Sequence, residues 1–247
     1  MLSRSADRAL QIFELFAERL RPLTLSELAH GLEMPVSTCS KLIRTLQGRG
    51  YLYEVGGRKA YYPTSRWLIK ANAITAADPV AEYARPFLQA LRDETGETTL
   101  MGKQAGLQLI HLAVVSGPHS IRYNGEVGDL LPLHSTASGK ALLGSMPSAQ
   151  RMALVAQLKL SRETPDTITQ RKHLLADIEQ GVQRGWWATR SENSPDVMAM
   201  AAPVQVGPDF YTLAVAGPVS RMEPRLEATA RRLVQACRRM SQRTTGD

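Results

Sequence analysis

Only two cysteines occur among the 247 residues, Cys39 and Cys237, and they stand too far apart to suggest a metal-binding or redox pair. No run of about 18 apolar residues is present, so no membrane-spanning helix is expected. The N-terminal stretch also lacks the apolar core of a secretory signal. A soluble, cytoplasmic protein is the expectation. Internal repeats and low-complexity segments are missing as well. So are the signatures of catalysis. There is no Gly-x-Ser-x-Gly elbow and no carboxylate pair, and His111, His119, His134 and His173 lack the spacing of metal ligands. No catalytic residue, no metal and no cofactor are therefore expected.

What is present has the balance of an ordinary globular chain, 43% hydrophobic and 21% charged. Its length suits two domains with real cores. The formal charge of +7 favours a polyanionic partner. That excess is unevenly placed. Residues 1–78 hold eleven Lys/Arg against seven acids, residues 79–220 twelve against thirteen, and residues 221–247 seven against three. A near-neutral middle between two basic ends points to a division of tasks.

The first task is written between Thr24 and Tyr62. Thr24 with Glu27 three residues on is a capping-box signature for a helix start, and Gly31 is its expected left-handed stop. Pro35 suits the opening of a second helix, in which Val36, Cys39, Leu42, Ile43 and Leu46 form a buried stripe. The opposite face presents Ser37, Thr38, Ser40, Lys41, Arg44 and Thr45, donors suited to phosphates and base edges. Two short helices joined by a tight turn, the second basic outward, describe a helix-turn-helix. Gly50–Val55 then reads as a strand, Gly56-Gly57 as a turn and Lys59–Tyr62 as the return strand. This wing carries Arg58 and Lys59 at its tip, beside the expected recognition helix. The competing reading is a small helical subdomain with a solvated charged face.

The rest of the chain is organised around this pair. Ser5–Leu20 is expected to be a supporting helix. Thr64–Ala77 is helical, with Trp67, Leu68, Ala71 and Ile74 on a face that a partner subunit or the same chain must cover. Residues 1–63 are thus the winged helix-turn-helix domain, 64–78 a linker helix and 79–247 a second domain. Asp78-Pro79 restarts a helix that runs to Thr95-Gly96. Strands are expected at Thr98–Lys103, Leu107–Val115, Ser120–Asn124, Trp187–Glu192, Val197–Val204 and Tyr211–Ala216. Helices are expected from Thr136 to Gly144, from near Thr169 to about Gly181, and at Glu223–Gln242. The second domain is α+β, a mostly antiparallel sheet with helices packed on it.

One run is distinctive: Leu131-Pro132-Leu133-His134-Ser135-Thr136-Ala137-Ser138-Gly139-Lys140-Ala141. Beyond it lie Arg184-Gly185-Trp186, then Glu192 upstream of Ala201-Ala202-Pro203-Val204, then Ala214-Val215-Ala216-Gly217-Pro218. In this order and behind a winged helix-turn-helix, these segments resemble IclR-type transcriptional regulators over nearly the whole chain. The resemblance implies a GAF-like C-terminal domain that binds small metabolites, often carboxylates or aromatic acids. It also implies a homodimer or homotetramer holding palindromic double-stranded operator DNA, as repressor or activator.

The expected effector site can be read from its chemistry. The helix beginning at Thr136 offers free N–H groups and the positive end of its dipole, so a carboxylate is the expected guest near Thr136, Ala137 and Ser138. The competing reading is that Thr136 and Ser138 only cap their own helix. Gly139-Lys140 is not a P-loop, because His134 and Ala141 occupy the places of its first Gly and its Ser/Thr. Lys140 is expected to be a structural ion-pair partner or a surface lysine. Further site residues follow from the resemblance: His134, Thr189, Arg190, Ala199, Ala214 and Ala216, with Met101 added as an apolar residue able to line the site. Here the chain departs from some family members. Thr189-Arg190 replaces an acidic residue, Ala199 a cysteine, Ala214 and Ala216 two serines, and Pro195-Asp196 the usual glycine after Glu192. These changes make the expected site less polar, and Met101, Met198 and Met200 are candidate apolar lining, the competing reading being that methionines in strands are plain core. Either Arg122 or Arg190 is a candidate partner for the carboxylate.

The function expected is a sequence-specific DNA-binding transcriptional regulator, not an enzyme, controlled by a small organic acid with an apolar or aromatic body. The alternative is an architectural or constitutive DNA-binding protein whose second domain only oligomerises. No membrane partner is expected.

Overall fold

The computed structural model describes residues 3–243. They divide between Asp78 and Pro79 into two compact units. The first contains α1 (Arg4–Arg19), β1 (Leu23–Thr24), α2 (Leu25–Gly31), α3 (Val36–Gly48), β2 (Leu52–Val55), β3 (Ala60–Pro63) and α4 (Arg66–Ala76). Strand β3 lies between β1 and β2, antiparallel to both. Ile12, Leu15 and Phe16 of α1, Leu28 of α2, Cys39 and Ile43 of α3 and Leu52 of β2 make one buried cluster.

The capping box closes at the start of α2. The Glu27 amide donates to Thr24 Oγ1 at 3.3 Å, and the Thr24 amide donates to the Glu27 carboxylate at 2.8 Å. The Thr24 amide, Arg21 and the Thr24 hydroxyl, all donating to the carboxylate, lower the Glu27 carboxyl to about 2. Thr24→Ala removes half of this box and should cost about 1 kcal/mol of stability. The readout is a lower urea midpoint for the full chain.

Three local expectations are corrected. Gly31 ends α2 without the left-handed conformation, which falls to Glu33 at φ 47. Gly31 is small for another reason: a Cβ there would meet Leu15 Cδ2 at 2.9 Å. Val36 leaves the predicted stripe and is exposed, because Pro35 is the N-cap and α3 begins one residue later. The wing turn is longer than Gly56-Gly57. Gly56–Arg58 forms a 3-10 turn and Lys59 reverses the chain at φ 50, so Val55 pairs with Ala60.

Helix α4 buries no residue fully. Trp67 turns onto its own unit, with ring centroids 3.8 Å from Phe13 and 4.6 Å from Tyr51. Leu68, Ile69 and Ile74 are 62%, 64% and 73% exposed. The predicted apolar face is therefore split between an anchor and an uncovered patch.

The second unit contains α5 (Pro79–Thr95), β4 (Thr98–Ala105), β5 (Gln108–Val115), β6 (Leu130–Pro132), α6 (Ala137–Ser145), α7 (Ser148–Gln157) and α8 (Arg171–Arg184). There follow β7 (Trp187–Arg190), β8 (Val197–Val206), β9 (Asp209–Pro218), α9 (Val219–Met222) and α10 (Leu226–Arg243). The sheet order is β6-β5-β4-β9-β8-β7, and every neighbouring pair is antiparallel. Period-two alternation sorts its side chains. Met101, Met198, Met200, Leu213 and Val215 face α5 and α10, meeting Ala84, Leu88 and Leu91 on one and Leu233, Cys237 and Met240 on the other. Burial pushes the Cys237 thiol up to about 12, so it is an inert core residue. Leu100, Trp187, Ala201, Ala214 and Ala216 face α6, meeting Ala137 and Ala141. Behind α6, Leu142, Leu143, Val155, Leu174 and Ile178 join it to α7 and α8.

Ser120–Asn124 is not a strand. The edge of β5 is taken instead by β6, with Ile110 opposite Leu130, so residues 120–124 have no ladder to join. They form part of the loop between β5 and β6. Helix α7 was not anticipated by the sequence reading.

Candidate DNA-binding surface and effector cavity

Helix α3 is held by Cys39 and Ile43, both fully buried, with Leu42 and Leu46 half-buried against the same cluster. That anchoring turns Ser37, Lys41, Arg44 and Thr45 outward, with Thr38 and Ser40 half-buried at the margins. Neither Lys41 nor Arg44 has an ion-pair partner among the described residues, so both charges remain available to a polyanion. Thr45 is partly committed, since its hydroxyl donates to the Lys41 carbonyl at 2.9 Å. Lys59 is exposed in the wing turn. Arg58 belongs to the same turn, and its side chain lies outside the described residues.

In the second unit a partly open cavity of about 40 Å³, taken as the space the centre of a water molecule can occupy, lies on the α6 face of the sheet. Its apolar wall comes from Leu100, Leu109, Leu131, Val197, Ala199, Ala214 and Ala216. The polar groups are Thr136 and Ser138 at the start of α6, His111 on β5, Tyr123 on the β5–β6 loop, and Thr189, Asn193 and Ser194 around β7. Thr136 is the N-cap of α6. Its hydroxyl accepts from the Gly139 amide at 3.1 Å and donates to the Pro132 carbonyl at 2.8 Å. That hydroxyl is spent on the fold. The amides of Ala137 and Ser138 and the Ser138 hydroxyl make no hydrogen bond among the described residues, and they stand at the cavity wall.

The structure brings Thr136, Ala137, Ser138, Thr189, Ala199, Ala214 and Ala216 together around this space. It places Met101, His134 and Arg190 elsewhere. Met101 follows Leu100 in the pleat and so faces α5 and α10, as do Met198 and Met200. His134 is buried beneath the α6 loop, its Nε2 2.9 Å from the Ser161 carbonyl. Arg190 lies at the surface, where its Nε and Nη2 donate to the Glu223 carboxylate at 2.7 and 2.8 Å. Arg122 is exposed and donates to the His119 carbonyl at 3.1 Å. Sequence reasoning missed His111, Tyr123, Asn193 and Ser194. For His111 a signal was available: it stands two residues after Leu109 on β5, hence on the same face.

Lys140 proves to be the structural ion-pair partner, fully buried inside α6. Its ammonium donates to both Glu192 oxygens at 2.8 and 2.7 Å and lies 2.7 Å from Asp177 Oδ2. Burial pushes the Glu192 carboxyl above its usual range, and Lys140 opposes that shift. Ser135 adds a hydroxyl donated to Asn193 Oδ1 at 2.9 Å, and Thr167 donates to the Glu192 carbonyl at 2.7 Å. These bonds fix a segment in which Ser191 and Asp196 both adopt left-handed backbone, at φ 53 and φ 58. The segment presents Asn193 and Ser194 to the cavity.

Among the described residues no group of His, Cys, Asp and Glu is placed to hold a metal ion, and no helix is long and apolar enough to cross a membrane. The fold is that of a winged helix-turn-helix unit followed by an α+β unit with a partly enclosed cavity beside α6. The chain belongs to the IclR family of bacterial transcriptional regulators: the IclR helix-turn-helix domain matches residues 5–56, and the bacterial transcriptional regulator IclR C-terminal domain matches residues 72–243. It is 30% identical over 241 residues to the HTH-type transcriptional regulator BhcR of Paracoccus denitrificans, covering 96% of this chain and 86% of that protein. It is 28% identical over 229 residues to the transcriptional repressor IclR of Escherichia coli, covering 89% and 81%. These relatives are transcriptional regulators, not enzymes. Among solved structures, Thermotoga maritima IclR superposes with a TM-score of 0.74 at 23% identity, covering 97% of this chain and 98% of that one. An IclR homolog from Microbacterium hydrocarbonoxydans, complexed with 4-hydroxybenzoate, gives 0.79 at 18% identity, covering 98% and 100%. Identities this low speak to the fold alone.

Proposed function

We propose that this IclR-family regulator is switched by a small organic acid with an apolar, aromatic body. The observation that carries the reading is the chamber itself. Two uncommitted α6 amides and the Ser138 hydroxyl suit a carboxylate, while Leu100, Ala199, Ala214 and Ala216 offer an apolar wall to a ring. A family homolog complexed with 4-hydroxybenzoate is consistent with that chemistry. The proposed DNA contacts are Ser37, Thr38, Ser40, Lys41 and Arg44 in the major groove, with Thr45 at its edge and Arg58 and Lys59 on the backbone beside it. A homodimer or homotetramer would present paired α3 helices to a palindromic operator. An effector that binds one subunit arrangement better than another shifts its population and so changes operator affinity.

Fluorescence anisotropy on DNA upstream of its own gene, at physiological salt with excess nonspecific competitor, tests both halves. Nanomolar binding is expected, and Arg44→Ala should weaken it by about 10- to 100-fold. Benzoate-type acids should then change the affinity of the wild-type protein. A tight complex with glyoxylate or pyruvate and none with aromatic acids would sink the effector reading. Binding that vanishes under competitor would sink the operator reading.

A further inference from the structure

We infer that the groove between the C-terminal end of α8 and the outer face of α10 is a docking surface for an acidic segment of a partner protein. It is separate from the effector cavity and uses none of its residues.

Trp186, Ala230 and Val234 form an apolar floor, and Arg184, Arg231 and Arg238 stand around it. The Arg184 guanidinium lies over the Trp186 ring, 4.5 Å from its centroid. A stacked guanidinium keeps its charge and its donors but has already given up much of its freedom, so less is lost when an acid binds. Arg231 and Arg238 are both exposed on α10. Seven residues separate them, two turns and about 10 Å along one face. None of the three arginines has a hydrogen bond or an ion pair among the described residues. Arg85, Arg92, Arg151, Arg190, Arg221 and Arg232 of the same unit each meet a carboxylate. Glu227 is the one acid at the groove, a turn before Arg231, and it does not pair with it. Part of the basic excess of residues 221–247 is thus gathered over a floor that a partner can cover.

Charge complementarity makes the occupant acidic, and shape narrows it further. The groove is open along one side and has about 500 Å³ of space for the centres of water molecules. That is too open to enclose a small ligand as a pocket does. A nucleic-acid backbone would gain nothing from the apolar floor, and Glu227 would repel its phosphates. Carboxylates about 10 Å apart, or three residues along an extended chain, reach Arg231 and Arg238 together. An apolar side chain between them would cover Ala230 and Val234. The guanidinium fork then takes each carboxylate through two hydrogen bonds.

The test is fluorescence anisotropy at physiological salt, with the full chain and a short labelled peptide of Glu-Leu-Ser-Glu repeats. Its counterpart with Gln for Glu is the reference. Wild type should bind the acidic peptide at least about 10-fold tighter than the neutral one. Arg231→Gln combined with Arg238→Gln should erase that preference, and Glu227→Gln should tighten binding about threefold. Arg225→Gln combined with Arg239→Gln removes as much charge from exposed arginines that do not line the groove, and should change binding by less than about twofold. All variants lie at the surface and should keep the wild-type melting temperature. No preference for the acidic peptide would overturn the inference, as would equal losses in the two double variants, which would report net charge alone. Displacement of the peptide by a nonspecific DNA duplex, with duplex binding weakened by the Arg231 and Arg238 changes, would assign the groove to nucleic acid instead. Self-association in sedimentation that those two changes abolish would assign it to a second copy of the chain.

Discussion

Lys140→Met should cost the C-terminal unit about 3–5 kcal/mol, the usual result of removing one partner from a buried ion pair. Methionine matches the length of the lysine stem, so the loss comes from charge rather than volume. Without the ammonium, the Glu192 carboxylate keeps only backbone company in a place that water barely reaches, and Asp177 Oδ2, the oxygen that faced the ammonium, is buried with no other partner among the described residues. Burial already raises the Glu192 pKa, and deleting Lys140 removes the largest opposing influence. The folded state then holds a proton over a pH range in which the unfolded chain has released it. For such a group stability is fullest below the unfolded pKa and falls as pH rises through the folded one. The deficit of the variant relative to wild type should therefore be smaller at about pH 5 than at about pH 7.5 in urea titrations. Glu192→Gln added to Lys140→Met should recover part of the loss at the higher pH. An equal deficit at both pH values would mean that packing, not charge, explains it. Effector affinity should fall in the single variant too, since this ion pair holds the strained segment that presents Asn193 and Ser194.

Gly181→Ala should cost about 3 kcal/mol, at the upper end for overpacking. The added methyl would sit 2.0 Å from Trp187 Nε1, and a Cβ at Gly144 would sit 2.1 Å from Cζ2 of the same ring. The indole is thus wedged between α8 and α6, with its N–H donated to the Ile178 carbonyl at 3.0 Å. It cannot yield toward α6, because the helix backbone at Gly144 is already in contact. Displacement would break the bond to Ile178 and disturb Ala137 and Ala141, which share a cluster with the ring. A blue-shifted, well-ordered tryptophan signal should become solvent-like in the variant, alongside a lower melting temperature. Wild-type stability would show that the two helices can separate freely.

These two devices mark where sequence reading stops. Thr24 with Glu27 and the stripe of Cys39 and Ile43 were legible because capping and helical period are local. Strands β4, β5, β7, β8 and β9 of the second unit were legible from alternation, while the three-residue edge strand β6 was not. Lys140 was recognisable as a candidate ion-pair partner, but its acids lie 37 and 52 residues away, so no window contained them. The cavity alanines came from position in a familiar run, and they do line the space. Arg190, placed the same way, and Met101, offered as apolar lining against a core reading, do not, because one residue along a strand exchanges faces. Met101 lost its place to Leu100, and Arg190 lost its own to Thr189. Tyr123 went unseen because it sits on a loop without periodicity, held where Thr98 of β4 donates to its carbonyl, whereas His111 could have been read from the alternation of β5.

The flanks of the six-stranded sheet have a consequence for how the folded protein behaves when crowded. Strand β6 spans three residues and ends in Pro132, which has no amide hydrogen to offer, and β7 spans four. An incoming extended segment would find too few free backbone groups on either side to dock and grow. Fibrous association by strand addition is thereby discouraged at both margins. On this sheet, any association between copies of the chain is left to side chains on helices and loops, where charge and shape can select the partner.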